Sequence, residues 1–322
     1  MVKQNKALFG WMAFSTWMLW PYPAAPQQRP PVTAPLQEGP VTLAKGSIMP
    51  ALVPFQFWNG LMVVDAYVNG KDRESFVIDT GLNADAIRPE DGTRLQLADL
   101  KRPVRVDTLQ TTSEAQEVRI PSLRMGTMTV ENMPAASIDI AALLSNTPHP
   151  DAPPGWLGFP FLSAFQVTID FSSHILALNP PNTRLPVVKG TVVVPISLRD
   201  GRIWANVTAP GAGTFSALVN TGAVGTLLPG AIADKLKLKS DNSSVIHVNG
   251  KDGKAFSATA PRLRLGKAEL KDVPVVFLAK DVPSGFDRSL GVLGMDFLSH
   301  FKVTISYAQK KMALIPLPPT TG

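Results

Sequence analysis

The chain contains no cysteine among its 322 residues, so disulfides, thiolate nucleophiles and thiolate metal sites are excluded. Histidine is scarce, and its positions do not have the spacing of metal ligands: His149, His174, His247 and His300. The sequence also lacks a Gly-x-Ser-x-Gly elbow and a phosphate-binding glycine loop. We therefore predict neither a metal nor a cofactor.

Clusters of positive charge are missing too, although the formal net charge is +6. Lysine and arginine are scattered along the chain, and no basic run is interleaved with aromatic residues. Nucleic-acid interfaces are typically built from such patches. We interpret the charge as a solvated basic surface and predict no nucleic-acid partner.

The first forty residues differ in composition from the rest. Two lysines precede an uncharged, largely apolar stretch at 7–20, which has the length of a signal-peptide core and is short for a membrane span. We predict a signal peptide or an uncleaved anchor at 1–20. Prolines are frequent between positions 21 and 40 and predict an extended linker, placed at 21–47. The protein is expected to be exported, periplasmic or secreted, with membrane contact only through a retained anchor.

The remaining sequence consists of two similar copies of one segment. Phe-Val-Ile-Asp-Thr-Gly at 76–81 returns as Ala-Leu-Val-Asn-Thr-Gly at 217–222, an offset of 141. A closing block at 155–180 returns at 291–316 with 13 of 26 positions identical, at an offset of 136. A middle block repeats at an offset of 140. Ordered blocks with drifting offsets indicate a duplicated domain with small loop insertions.

Strand signals dominate both copies, which we place at 48–185 and 186–322. Leu61–Val68 is rich in β-formers and ends at an Asn-Gly turn. In the second copy, segments on either side of the glycine-rich stretch 249–253 predict a hairpin. Helical periodicity is weak, and the best candidate is 229–238. The predicted fold is mostly all-β, with each copy a closed barrel or a sandwich.

These motifs carry a resemblance to a known family. An apolar run ending in Asp-Thr-Gly, then a hairpin, then an apolar Leu-Gly about 75 residues later, resembles the pepsin and retropepsin superfamily of aspartic peptidases. The segment Leu-Gly-Met-Asp-Phe-Leu at 293–298 is similar to the ending of bacterial retropepsin-like domains. The resemblance covers roughly 48–316 in two halves. It implies two pseudo-symmetric β-barrel lobes with a cleft between them, and a peptide or protein substrate bound in an extended conformation.

The same resemblance implies roles for individual residues. Asp79 would be the catalytic base, and Asn220 stands where the second catalytic aspartate is expected. Thr80 and Thr221 would bond across the pseudo-twofold axis. The remaining candidates are glycines and flap residues: Gly81 and Gly222 in the tight turns, Gly158 and Gly294 packed under the loops, Asn249, Gly250 and Gly253 in a flap of the second lobe, and the segment 105–117 as a flap of the first.

Asn220 is the main departure from the family pattern. An amide is nearly isosteric with a protonated carboxyl and can donate a hydrogen bond to Asp79, but it cannot deliver or accept a proton. No acid near Asn220 offers an obvious substitute, since the segment 201–235 contains only Asp234. In the first copy, Asp85 follows Asp79 by six residues and is expected to be a surface turn residue. The chain is therefore either an aspartic-type endopeptidase, with activity weakened by Asn220, or an inactive peptide-binding module on a protease scaffold.

Two further interpretations remain open. Two first lobes from different molecules could pair and restore a dyad of aspartates, although the covalent tandem favours pairing within one chain. Asp79 could also be only a buried loop carboxylate that accepts amide hydrogen bonds.

Overall fold

The computed structural model describes residues 41–109, 111–145, 151–240, 242–248 and 251–318. Within these ranges the chain is mostly β-structure, as the sequence predicts. The described helices are short, and none of them is both long and apolar enough to cross a membrane.

The first copy folds into a strand-rich lobe, here called lobe 1. Its strands are β1 (Thr42–Leu43), β2 (Ala51–Trp58), β3 (Leu61–Val68), β4 (Asp72–Ile78), β5 (Ala86–Ile87), β6 (Ala98–Asp107), β7 (Thr112–Met125), β8 (Met128–Ser137), β9 (Gly155–Leu157), β10 (Gln166–Asp170) and β11 (Ile175–Asn179). Its helices are α1 (Pro89–Arg94), α2 (Ile140–Ser145) and α3 (Phe159–Leu162).

The second copy, lobe 2, repeats this order from β2 onward, except that two short strands take the place of β2 and no helix equivalent to α2 is found in the described residues. Its strands are β12 (Val192–Pro195), β13 (Ser197–Arg199), β14 (Arg202–Ala209), β15 (Gly213–Val219), β16 (Thr226–Leu227), β17 (Asn242–Val248), β18 (Lys251–Leu265), β19 (Ala268–Leu278), β20 (Gly291–Leu293), β21 (Phe301–Ser306) and β22 (Lys311–Pro316). Its helices are α4 (Gly230–Leu236), which the sequence predicts, and α5 (Met295–Leu298).

Each lobe curls its strands into a ring. In lobe 1 the strand order is β2-β3-β4-β9-β5-β8-β7-β6, and β3 also pairs with β7. In lobe 2 the order is β13-β14-β15-β20-β16-β19-β18-β17, and β14 also pairs with β18. These extra pairings bring strands from distant parts of each order together, which is the behaviour of a barrel. The predicted pair of barrel-like lobes is confirmed.

Turn chemistry fixes the hairpins of both lobes. Asn59-Gly60 joins β2 to β3, and Asp200-Gly201 joins β13 to β14 at the equivalent position. All four residues have positive φ, between 47° and 82°. Asn-Gly and Asp-Gly are the dipeptides that tolerate this conformation best, and it matches the twist of the flanking strands.

The sheet of lobe 1 continues beyond β2 and joins the lobes through the strand order β12-β22-β21-β10-β11-β2. At its centre β10 pairs with β21, and Thr168 lies opposite Thr304. Their hydroxyl oxygens are 3.0 Å apart. The two threonines occupy equivalent positions in the two copies, at an offset of 136. The pseudo-twofold axis therefore passes between them.

The apolar core continues across the joint between the lobes. One cluster of buried side chains includes Phe161 and Phe165 from lobe 1 and Phe297 and Phe301 from lobe 2. Burial of aromatic side chains is among the larger contributions to the stability of a core. A smaller cluster in lobe 1 includes Trp156 and lies beneath β6 and β7.

Two local expectations differ from the structure. The sequence predicts a linker at 21–47, but Thr42 and Leu43 already pair with β8. This is possible because the prolines end at Pro40, so the residues after it can donate backbone hydrogen bonds. The sequence predicts Gly253 in a hairpin tip, but it lies inside β18, where it pairs with Ile246.

Candidate active site

Asp79 and Asn220 follow equivalent buried strands. β4 runs parallel to β9 and leads directly into Asp79, whose backbone N–H donates to Leu157 O at 3.0 Å. β15 runs parallel to β20 and leads into Asn220, whose backbone N–H donates to Leu293 O at the same distance. The two side chains are thus presented from matching backbone positions, as the sequence repeat requires.

Thr80 and Thr221 hold the two loops together by reciprocal hydrogen bonds. The Thr80 N–H donates to Thr221 Oγ1, and the Thr221 N–H donates to Thr80 Oγ1, both at 3.1 Å. The Thr80 hydroxyl also donates to Val219 O at 2.8 Å, and the Thr221 hydroxyl donates to Ile78 O at 2.7 Å. All of these groups are buried, so each bond satisfies polar atoms that water does not reach.

The side chains of Asp79 and Asn220 meet over the glycines that follow them. A Cβ atom added to Gly81 would lie 2.4 Å from Asn220 Cγ, and one added to Gly222 would lie 2.2 Å from Asp79 Cγ. No other residue type fits at either position without displacing the opposite side chain. The structure therefore brings together all six residues of the two Asp/Asn-Thr-Gly segments.

Burial controls the acidity of Asp79, which is only 6% exposed. Desolvation raises the pKa of Asp79 to about 6, although the backbone N–H groups of Gly81, Gly222 and Leu82 oppose part of this increase by stabilising the carboxylate. A carboxyl group with this pKa loses its proton near neutral pH and can then take one from water.

The Asn220 amide has a fixed orientation. Its Oδ1 accepts the Gly222 N–H at 2.6 Å, just as Asp79 Oδ1 accepts the Gly81 N–H at 2.8 Å. Its Nδ2 therefore faces away from that backbone donor, with two N–H groups to offer. The side-chain hydrogen bonds found for Asp79 and Asn220 go to these backbone amides and not to each other, so the expected direct bond between the two side chains is not formed.

Gly158 and Gly294 lie directly under the two loops. A Cβ atom on Gly158 would lie 2.2 Å from Ala84 O, and one on Gly294 would lie 2.3 Å from Gly225 O. The strand ends can approach the loops this closely only because both residues lack a side chain.

Asp85 is not a surface turn residue, contrary to the sequence expectation. It is fully buried at 0% exposure, and its Oδ1 accepts the Gly158 N–H at 2.8 Å. In lobe 2 two residues take the place of Asp85. The Gly294 N–H donates to Thr226 Oγ1 at 3.2 Å, and the Thr226 hydroxyl donates to Asp296 Oδ1 at 2.5 Å. Asp85 therefore supports the loop from below and cannot contact a substrate.

Tyr307 is a member of the site that sequence reasoning missed. Its ring packs edge-on against Phe159 at a centroid distance of 5.7 Å. Burial, with smaller contributions from the Asp79 and Asp85 carboxyls, raises the pKa of the Tyr307 hydroxyl, and burial raises the pKa of Asp85. The hydroxyl of Tyr307 and Oδ2 of Asp85 lack a hydrogen-bond partner within the described part of the chain. The buried layer under the Asp79 loop therefore contains polar side chains, but burial favours the uncharged, protonated forms of Tyr307 and Asp85.

Each lobe places a hairpin in the expected flap position along the chain. In lobe 1 it is formed by β6 and β7, which include the predicted segment 105–117 except for its tip. In lobe 2 it is formed by β17 and β18. Asn249 and Gly250 lie outside the described residues, and a Cβ atom on Gly253 would lie 2.5 Å from the Phe286 ring.

Comparisons with known proteins agree with this geometry. A family model described as "Aspartyl protease" matches residues 64–161, and one described as "gag-polyprotein putative aspartyl protease" matches residues 205–300. The chain belongs to the aspartic peptidase-like family. No curated protein sequence matches it.

A solved structure supports the fold of this aspartic-peptidase-like chain. The crystal structure of basic 7S globulin from soybean matches with a TM-score of 0.50 and 11% sequence identity, over 86% of this chain and 95% of that one. At this level of identity the likeness concerns the fold alone. The coverage of both chains shows that the two-lobed arrangement is shared.

Proposed function

We propose that the protein is an aspartic-type endopeptidase that binds an extended peptide between its lobes and hydrolyses it slowly, with Asp79 as the central acid. The main support is the reciprocal hydrogen bonding of Thr80 and Thr221, which holds Asp79 and Asn220 opposite each other across the pseudo-twofold axis. Members of such families act on peptide bonds, and the two flap-position hairpins are suited to an added strand.

A one-acid cycle is chemically complete. Asp79 takes a proton from water while the water oxygen bonds to the scissile carbonyl carbon. An Nδ2–H of Asn220 donates a hydrogen bond to the oxygen that becomes negative. Asp79 then gives its proton to the leaving nitrogen as the carbon–nitrogen bond breaks, and it returns to the carboxylate form. Because Asn220 transfers no proton, we expect a rate about 10²–10⁴-fold below that of a two-acid site.

A second candidate is peptide binding without turnover. The amide of Asn220 favours it, since the position of the second acid holds a group that hydrogen-bonds but does not titrate. In this case the scaffold would be a pseudoenzyme that retains the cleft of a peptidase.

Incubation of the protein with a peptide library between pH 4 and pH 8 tests the proposal, with new termini detected by mass spectrometry. We expect slow cleavage that Asp79→Ala abolishes, while Asp79→Asn still binds the peptides it no longer cuts. Binding without cleavage would support the second candidate. Neither binding nor cleavage would contradict both.

We further propose that the protein is exported, as a periplasmic or secreted protein. The support is the composition of residues 1–20, in which two lysines precede an apolar stretch with the length of a signal-peptide core. Residues 1–20 would act as a signal peptide or as an anchor, and the proline-rich stretch 21–40 as a spacer. Amino-terminal sequencing of the protein from cell fractions tests this, and a cytoplasmic protein with an intact start would contradict it.

A further inference from the structure

Asn83 connects the Asp79 loop to the neighbouring hairpin. It lies four residues after Asp79 in the same loop. Its side-chain Oδ1 accepts the backbone N–H of Asp107 at 2.7 Å, and its Nδ2 donates to Asp107 Oδ2 at 3.1 Å. These two bonds join the loop to the last residue of β6.

Asp107 extends this connection across the hairpin. The residue is 5% exposed, and its Oδ1 accepts both Arg105 Nε at 2.8 Å and the Thr112 hydroxyl at 2.7 Å. Thr112 is the first residue of β7. A single carboxylate therefore binds the loop and both strands of the β6–β7 hairpin near its tip. Hydrogen bonds to a charged acceptor are stronger than neutral ones.

Lobe 2 supports Asn83 from the other side. A Cβ atom built on Gly201, in the turn between β13 and β14, would lie 3.2 Å from Asn83 Cβ. Gly201 has a φ of +65°, which favours glycine in this turn. Asn83 is therefore held between the hairpin of its own lobe and a turn of the other lobe, so its amide has little room to rotate away.

The equivalent position in lobe 2 is different. Val224 occupies it, is 51% exposed, and packs against Gly60, where an added Cβ atom would lie 3.1 Å from Val224 Cγ2. The packing between the lobes is thus symmetric, but a valine side chain has no hydrogen-bonding group with which to hold the β17–β18 hairpin. The two hairpins are attached to their loops in different ways.

We propose that Asn83 and Asp107 form a latch that fixes the β6–β7 hairpin against the Asp79 loop as a preformed wall of the peptide site. The inference rests on the proposed function and deepens it, since Asn83 acts as a positioning residue and not as a reacting group. A wall fixed before binding reduces the ordering cost that an extended peptide must overcome.

Hydrogen exchange of the full chain, followed by mass spectrometry, tests the latch directly. We expect Asn83→Ala to speed exchange in β6 and β7 by about tenfold or more, because it removes a hydrogen bond to a buried carboxylate. Exchange in β17 and β18 should not change. Val224→Ala is the matched control, since it shortens the equivalent side chain and is expected to leave β6 and β7 unchanged.

A charge swap separates positioning from general destabilisation. In the double variant Asn83→Asp with Asp107→Asn, the carboxylate at 83 accepts the backbone N–H of residue 107 and its new side-chain amide. We expect slow exchange in β6 and β7 to return, which a change in overall stability alone does not explain. Asn83→Asp by itself places two carboxylates together and is expected to release the hairpin.

Peptide affinity gives the functional readout. For a library peptide that the natural protein binds, we expect Asn83→Ala to weaken binding by about tenfold and the swapped pair to restore it. Unchanged exchange in Asn83→Ala would overturn the latch, and faster exchange with unchanged affinity would overturn its role in the site. If the natural protein binds no peptide, the proposed function fails and the wall assignment fails with it, while exchange still decides whether Asn83 holds the hairpin.

Discussion

At the scale of single residues, the ionisation of Asp79 links stability to chemistry. Burial raises its pKa to about 6 in the folded protein, whereas an unfolded chain has about 3.9. The folded state therefore binds the proton more tightly. The resulting stabilisation is fully present below about pH 3.9 and is lost as the pH rises through about 6, a loss on the order of 3 kcal/mol.

Urea unfolding of the natural protein and of Asp79→Asn between pH 4 and pH 7 measures this effect. The natural protein should lose stability relative to the variant across that window, since the asparagine does not titrate. Cleavage, which needs the carboxylate, should rise over the same window. Parallel stability curves for the two proteins would show that Asp79 has an ordinary pKa.

Asp85 gives a second residue-scale prediction. Because its Oδ1 satisfies the buried Gly158 N–H, Asp85→Ala leaves that donor unpaired and opens a small cavity. We expect a loss of about 2–4 kcal/mol in the free energy of unfolding. Asp85→Asn keeps the acceptor and the shape, so its effect should stay within about 1 kcal/mol.

Denaturant unfolding of both variants makes the comparison, with Asp72→Ala as the control. Asp72 is exposed, so its removal should change stability by at most about 0.5 kcal/mol. Equal effects of Asp85→Ala and Asp72→Ala would restore the earlier interpretation of Asp85 as a surface residue.

At the scale of elements, the two loops depend on each other through Thr80 and Thr221. Replacing either threonine by valine keeps its volume but leaves a buried N–H and a buried carbonyl unpaired. We expect each variant to lose about 2–4 kcal/mol of unfolding free energy, and the two losses to be similar because the bonds are reciprocal. Differential scanning calorimetry or urea unfolding measures both.

Thr214→Val is the matched control for these variants. Thr214 also bonds through its hydroxyl to another threonine, Thr208, at 2.8 Å, but on the exposed side of a hairpin. Water can replace that bond, so the loss should be well under 1 kcal/mol. A large asymmetry between Thr80→Val and Thr221→Val would show that the loops are not equivalent supports.

Elements whose signal is local could be predicted from sequence. The predicted strand at Leu61–Val68 has the same bounds as β3, because β-branched residues followed by an Asn-Gly turn form a hairpin without help from distant residues. The Asp79 and Asn220 loops could be predicted because their motifs repeat in register. Asp85 could not, since its burial follows from the close approach of Gly158, 73 residues away. The pairing of Asn83 with Asp107 and the placement of Tyr307 likewise depend on tertiary contacts.

At the scale of the whole molecule, the contacts between the two lobes argue against a site shared by two first lobes from different molecules. That arrangement would separate β10 from β21 and break the reciprocal threonine bonds. It would also expose the core that Phe161 and Phe297 share across the joint. These costs favour a site built within one chain, in which Asn220 is the partner of Asp79.

Lobe 2 preserves the geometry of an acid site and lacks only the acid. Asn220→Asp tests this most directly, measured as initial cleavage rates on the peptide library against the natural protein. We predict a gain of about 10²–10⁴-fold, abolished when Asp79→Ala is added. A correctly folded Asn220→Asp variant that cuts no faster than the natural protein would contradict the account.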